Sequence, residues 1–146
     1  MKIFEIIKML TCLGLVLILI ACTTGLRQDN LDKYSFNNKM IEILGPDVKI
    51  RDAINKSQVQ ISSIEISKNS KKLDEIITQL KQDGWVLKGR GKGVDTYCLG
   101  TNNSINIITA NSGPIIGYEG SILTSGDFSV NTVTFSYVNS GVNECE

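Results

Sequence analysis

The sequence predicts an α+β fold in which one principal amphipathic helix packs on a mostly antiparallel β-sheet and the C-terminal half is β-rich. Three observations predict it. Leu73, Ile76, Ile77 and Leu80 place apolar side chains at i, i+3, i+4 and i+7, the stripe of a helix buried along one side. After Gly84 the apolar period shortens to two and stays there, the signature of strands. The segments with that period are separated by short turns rich in Gly, Asn and Ser, which favour hairpins over helical crossovers.

Taken in order, Met40, Ile41 and Leu44 fall at helical spacing ahead of Gly45-Pro46 and predict a short helix over residues 37–44. Val48, Ile50 and Ile54 follow without a clear period. Val59 and Ile61 alternate, Ser62-Ser63 breaks the phase, and Ile64 and Ile66 resume on a shifted register, which predicts a strand with a bulge at the serine pair. Asn69 or Ser70 caps the principal helix. Gly84 lies just past its end, with Leu80 and Trp85 spaced to make the hydrophobic contact of a Schellman stop. Trp85 is thus explained by folding alone. Strands are expected at residues 85–88, 94–99, 104–110, 115–118, 121–124 and 128–138. In the last, Phe128 and Val130 follow one phase and Val133, Phe135 and Tyr137 the other, which predicts a bulge near Asn131-Thr132 and two partly apolar faces. Most aromatics of this region, including Tyr97 and Tyr118, are expected in the core. A face the helix leaves open either packs on the rest of the chain or meets a partner.

Composition narrows function before any motif does. The 146 residues carry 15 basic and 15 acidic side chains, so bulk attraction to nucleic acid is not expected. Histidine is absent, which removes His-based triads, His metal ligands and an imidazole base. Neither Ser-x-x-Lys nor Lys-Thr-Gly occurs, the patterns in which a lysine partners a nucleophilic serine.

The front of the chain has a different character. Lys2 and Lys8 flank a short n-region, and an apolar run of 12 residues follows over 9–20. That is within the roughly 7–15 of a signal-peptide core and short of the about 20 needed to span a bilayer. The run ends in Leu19-Ile20-Ala21-Cys22, followed by Thr23-Thr24-Gly25. These residues resemble the lipobox of a bacterial lipoprotein precursor. The resemblance implies that residues 1–21 are a cleaved signal peptide. It also implies that Cys22 carries a thioether-linked diacylglycerol and, in many bacteria, an N-linked acyl chain. Each buried methylene contributes about 0.8 kcal/mol, and one chain alone is marginal, so two or three chains make a lasting anchor in the lipid bilayer. A cell-envelope location follows from the same resemblance, and Thr23 in place of Asp favours the outer membrane, facing the periplasm, in enteric-type bacteria. Residues 22–36 then read as the lipidated cysteine and a polar tether, and residues 37–146 as a single α+β domain.

The cysteines divide accordingly. Cys12 leaves with the signal peptide, Cys22 takes the lipid, and Cys98 and Cys145 remain as an even pair in an oxidising compartment, where they are expected to bond. Closing that loop contributes roughly 3–4.5 kcal/mol in the chain-entropy relation. No Cys-x-x-Cys spacing or neighbouring base marks either as a reactive thiol. No metal site and no cofactor beyond the covalent lipid is expected.

Lys88-Gly89-Arg90-Gly91-Lys92-Gly93 is the sharpest local composition. Its glycines expose backbone amides, and Lys88, Arg90 and Lys92 supply charge for a phosphate, a carboxylate or an anionic glycan. Lys92 is followed by Gly93 and a strand rather than by Ser or Thr and a helix, so this is no P-loop, and a solvated hairpin turn accounts for the same residues. Asp95, Glu119 and Asp127 are candidates for paired carboxylates in glycan hydrolysis, although the sequence does not set their separation. The expectation is a non-enzymatic, membrane-anchored envelope lipoprotein whose domain binds a protein, as an inhibitor or an immunity protein binds a toxin, with strand edges suited to pairing. The alternatives are a structural accessory of an envelope assembly and, further off, a small glycan-binding or hydrolytic module.

Overall fold

A computed structural model describes residues 33–139, 144 and 145; residues 1–21, read above as a signal peptide, Cys22 and most of the expected tether lie outside the described residues. The elements run α1 (Phe36–Leu44), β1 (Ile50–Asn55), β2 (Val59–Ser67), α2 (Lys72–Gln82), β3 (Val86–Arg90), β4 (Val94–Leu99), β5 (Asn103–Ile108), β6 (Ser112–Ile116), β7 (Ile122–Asp127) and β8 (Val130–Val138). Six strands make an antiparallel sheet in the order β1-β2-β8-β5-β4-β3, and β6 and β7 form a separate hairpin. The fold is α+β and β-rich, as the sequence predicts.

The principal helix α2 and the short helix α1 both cover the sheet. Tyr97, Ile105, Phe135 and Ser62 stand side by side across β4, β5, β8 and β2, so these strands turn one common face toward the helices. From α1, Phe36 stacks on Phe135 with ring centroids 5.1 Å apart and planes 6° from parallel. From α2, Ile76 and Leu80 are fully buried in the same cluster. Tyr34 meets Trp85 edge to face at 5.1 Å, an arrangement aromatic quadrupoles favour. Packing therefore begins before residue 37 and takes in Tyr34 and Phe36, which the sequence places in the tether.

The end of α2 follows its sequence signal closely. Gly84 has φ +92°, Trp85 N–H donates to Leu80 O at 3.0 Å, and Gly84 N–H donates to Lys81 O at 3.2 Å. These are the two bonds of a Schellman stop. At the other end Ser70 Oγ accepts from Lys72 N–H at 3.2 Å.

The two expected bulges are absent. β2 pairs with β8 residue for residue from Val59 opposite Val138 to Ser67 opposite Val130. The phase breaks in the sequence come instead from polar residues at inward positions. Gln60 and Ser62 are buried on β2, and Asn131 on β8. Each is hydrogen-bonded, Gln60 Nε2 to Ser62 Oγ at 2.8 Å and Asn131 Oδ1 from Ala110 N–H at 2.8 Å, which removes most of the cost of burying them. Phe128 precedes β8 rather than belonging to it.

Register shifts fall instead on strands with a free edge: Ala53 is the extra residue in β1, Lys88 in β3 and Leu123 in β7. An extra residue twists an edge and spoils it as a template for another strand. Replacing fully buried Leu80 by Ala is expected to lower unfolding free energy by about 3 kcal/mol. Ile41→Ala, at a position 42% exposed, is expected to change it by less than about 0.5 kcal/mol. Urea denaturation of both variants checks the assignment.

Candidate functional site

β1 begins at Ile50, opposite Ile64 of β2. β2 continues for Glu65, Ile66 and Ser67, held on its far side by Thr132, Asn131 and Val130 of β8. On the side that β1 covers elsewhere, these three have no strand partner among the described residues. The chain before β1 turns away at Gly45, whose φ of +94° suits glycine and whose N–H closes α1 on Ile41 O at 2.9 Å. Between that loop and the overhanging end of β2 opens a groove of about 840 Å³, within the roughly 300–1,000 Å³ of ligand sites.

Leu44, Val48, Ile50 and Ile66 give the groove an apolar floor, and Ser63, Ser67 and Ser70 add hydroxyls. Its charged lining is Lys49, Arg51 and Lys72 against Asp47 and Glu65. Arg51 and Glu65 pair at 3.6 Å, with side chains 78% and 58% exposed, so the pair is weak but self-neutralising. Lys72 Nζ donates to Leu44 O at 3.4 Å. Lys49 and Lys72 then outnumber Asp47. Charge, hydroxyls and an open strand edge are recognition groups.

Sequence reasoning missed this groove because it found no period at Val48, Ile50 and Ile54. Five of the six residues of β1 are exposed and the first is half-buried, so no alternation is written there. β1 is kept in place by polar contacts instead. Ser62 Oγ donates to Asp52 Oδ1 at 2.6 Å, and Asn37 Nδ2 reaches both oxygens of Asp52 at 3.2 Å. The Ser62 hydrogen bond, against a smaller burial penalty and with help from Asn37 and Asn55, holds the Asp52 carboxyl below its usual pKa. At Asp83 burial pushes upward, but hydrogen bonds from Tyr34, at 2.6 Å, Gln79 and Lys39 outweigh it and lower the pKa.

Cys98 and Cys145 are bonded, with Cα atoms 5.6 Å apart. The bond lies on the face of the sheet away from the helices, where it holds the C-terminal arm. Glu144 Oε2 accepts from Asn106 Nδ2 at 2.8 Å, and Glu144 O accepts from Tyr118 Oη at 2.9 Å. The β6–β7 hairpin covers part of the same face, with Tyr118 against Gly89 so closely that a Cβ there would collide with its ring.

That contact changes the meaning of the glycine-rich segment. Gly89 makes room for Tyr118, and Gly91 for the backbone at Ile116. Gly91 N–H donates to Val94 O at 2.7 Å and Lys92 N–H to Ile116 O at 2.8 Å, so these amides are not available to cradle an anion. Arg90 pairs with Asp95 at 3.7 Å. Any anion held by Lys88, Arg90 and Lys92 would be held by side chains. Glu119 sits in the β6–β7 turn, and the side chain of Asp127 lies outside the described residues. Among the described residues no cluster of metal-ligating side chains occurs and no helix is long and apolar enough to cross a membrane.

The disulfide closes a separation of 47 residues, so Cys98→Ser with Cys145→Ser is expected to lower stability by about 4 kcal/mol, read by denaturation beside the oxidised and reduced parent. Asp52 and Asp83, both lowered, stabilise the fold above the unfolded carboxylate pKa near 3.9, and that contribution is lost as pH falls through their folded values. Stability measured from about pH 5 to pH 2 should therefore fall less steeply in Asp52→Asn than in the parent.

No protein family, curated protein or solved structure matches this chain.

Proposed function

We propose that this protein is a membrane-anchored envelope lipoprotein, lipidated on Cys22, whose α+β domain is non-enzymatic and binds another protein in the manner of an inhibitor or immunity protein. The observation that carries the reading is the groove beside the overhanging end of β2, where an apolar floor, unbalanced lysines and an unpaired strand edge lie together. The bulged edges elsewhere concentrate the expected contact at this place.

Lys33 Nζ donates to Lys56 O at 3.1 Å and Tyr34 N–H to Asn103 Oδ1 at 3.0 Å, so residues 33 and 34 lie at the β1–β2 turn. The groove opens at the opposite end of β2, about 25–30 Å away along a nine-residue strand.

Two experiments test the reading. A clickable fatty acid fed to cells should label the parent and not Cys22→Ala; label retained on the variant contradicts the anchor. A photo-crosslinking residue at Ser67 should capture one stoichiometric protein in intact cells, whereas the same residue at Lys56 should not. The absence of any crosslinked protein at Ser67 across growth conditions retires the binding reading.

A further inference from the structure

We infer that the groove takes an extended, acidic peptide segment, which adds as a short strand beside Glu65, Ile66 and Ser67 in the place that β1 vacates. The inference rests on the protein-binding reading above and names the chemistry of the partner.

Three features point to this occupant. The first is the backbone. Among the described residues β2 is paired on both sides up to Ile64 and on one side only from Glu65 to Ser67, where Ser67 O already accepts from Ser70 N–H at 2.9 Å and the other main-chain groups of the edge remain. Main-chain groups on such an edge accept another strand, and the added hydrogen bonds are independent of its sequence. The bulges at Ala53, Lys88 and Leu123 interrupt β1, β3 and β7, whereas β2 is regular to its last residue against β8. The second is shape. The groove is open, and its floor of Leu44, Val48, Ile50 and Ile66 matches a strand that turns every other side chain inward.

The third is charge. Arg51 and Glu65 neutralise each other, and Lys49 and Lys72 remain against Asp47. Carboxylates on an incoming strand would meet these cations, Lys72 being held beside Leu44 of the floor. Such complementarity decides partner choice more than raw affinity.

The full chain, purified in a neutral detergent, is titrated against a fluorescent decapeptide of alternating Val and Glu, with alternating Val and Lys as the comparison and anisotropy as the readout. The acidic peptide is expected to bind at least about tenfold more tightly than the basic one at low salt, with the difference shrinking as salt rises. Lys49→Glu with Lys72→Glu should reverse the order. Both residues are exposed, and an unchanged thermal unfolding midpoint confirms that the variant folds. N-methylation of alternate peptide residues removes strand hydrogen bonds but no charge, and should abolish binding. Equal affinity for the two peptides, indifference to the lysine reversals, or undiminished binding of the methylated peptide overturns the inference. So does displacement of the acidic peptide by inorganic phosphate or phosphatidylglycerol vesicles at low millimolar concentration. A protein captured at Ser67 whose contact segment lacks acidic residues sinks this chemistry and leaves the binding reading intact; no capture at all sinks both.

Discussion

The domain depends on β8. It is the last strand in the sequence and lies third in the sheet, paired with β2 along its whole length and with β5 over six residues. On one side of it is the β1–β2 hairpin, on the other the β5-β4-β3 meander. Neither half pairs with the other directly. Without β8 the sheet is two fragments, and a two-stranded hairpin alone is marginal in water. The core repeats that arrangement, because Val133, Phe135 and Tyr137 are fully or almost fully buried and Phe36 from α1 stacks on Phe135. Packing and pairing thus converge on a strand that is not complete until nearly the whole chain exists, a topology of non-local contacts that costs loop-closure entropy before it is rewarded.

A central strand shared by two halves also explains where polar residues are tolerated inside. Asn131 sits at the start of β8, Asn103 at the start of β5, and Gln60 and Ser62 near the start of β2. The two asparagines meet partners in connecting segments, and Ser62, inside β2, meets Asp52 of the neighbouring strand. Asn131 accepts from Ala110, Asn103 accepts from Tyr34, and Ser62 donates to Asp52. Replacing them with apolar residues would remove these ties between sheet and connections, while leaving one partner unsatisfied would cost the desolvation of a buried polar group.

The groove is a product of the same geometry. β8 holds β2 in place through Ser67, while α1 ends at Gly45 and delivers the chain to β1 only at Ile50. The mismatch in strand length leaves the overhang. On the opposite face, the disulfide and the β6–β7 hairpin close over β3, β4 and β5. The Lys88 to Gly93 segment is absorbed by that closure, its glycines set by the approach of Tyr118 and Ile116.

The sequence by itself determined the helix of Leu73 to Leu80, its stop at Gly84, the run of short strands after it, and, once the lipoprotein resemblance sets Cys12 and Cys22 aside, the pairing of Cys98 with Cys145. These are local patterns, or follow by elimination, so each is written in neighbouring residues. The groove, β1 and the true cause of the phase breaks were decided only by tertiary structure. β1 is an edge strand with little burial, so its apolar pattern carries no alternation. Ser62 and Asn131 read as interruptions until their partners, Asp52 and Ala110, arrive from elsewhere in the chain. Which positions may be polar inside a sheet depends on what the fold places opposite them, and that is a property of distance in space.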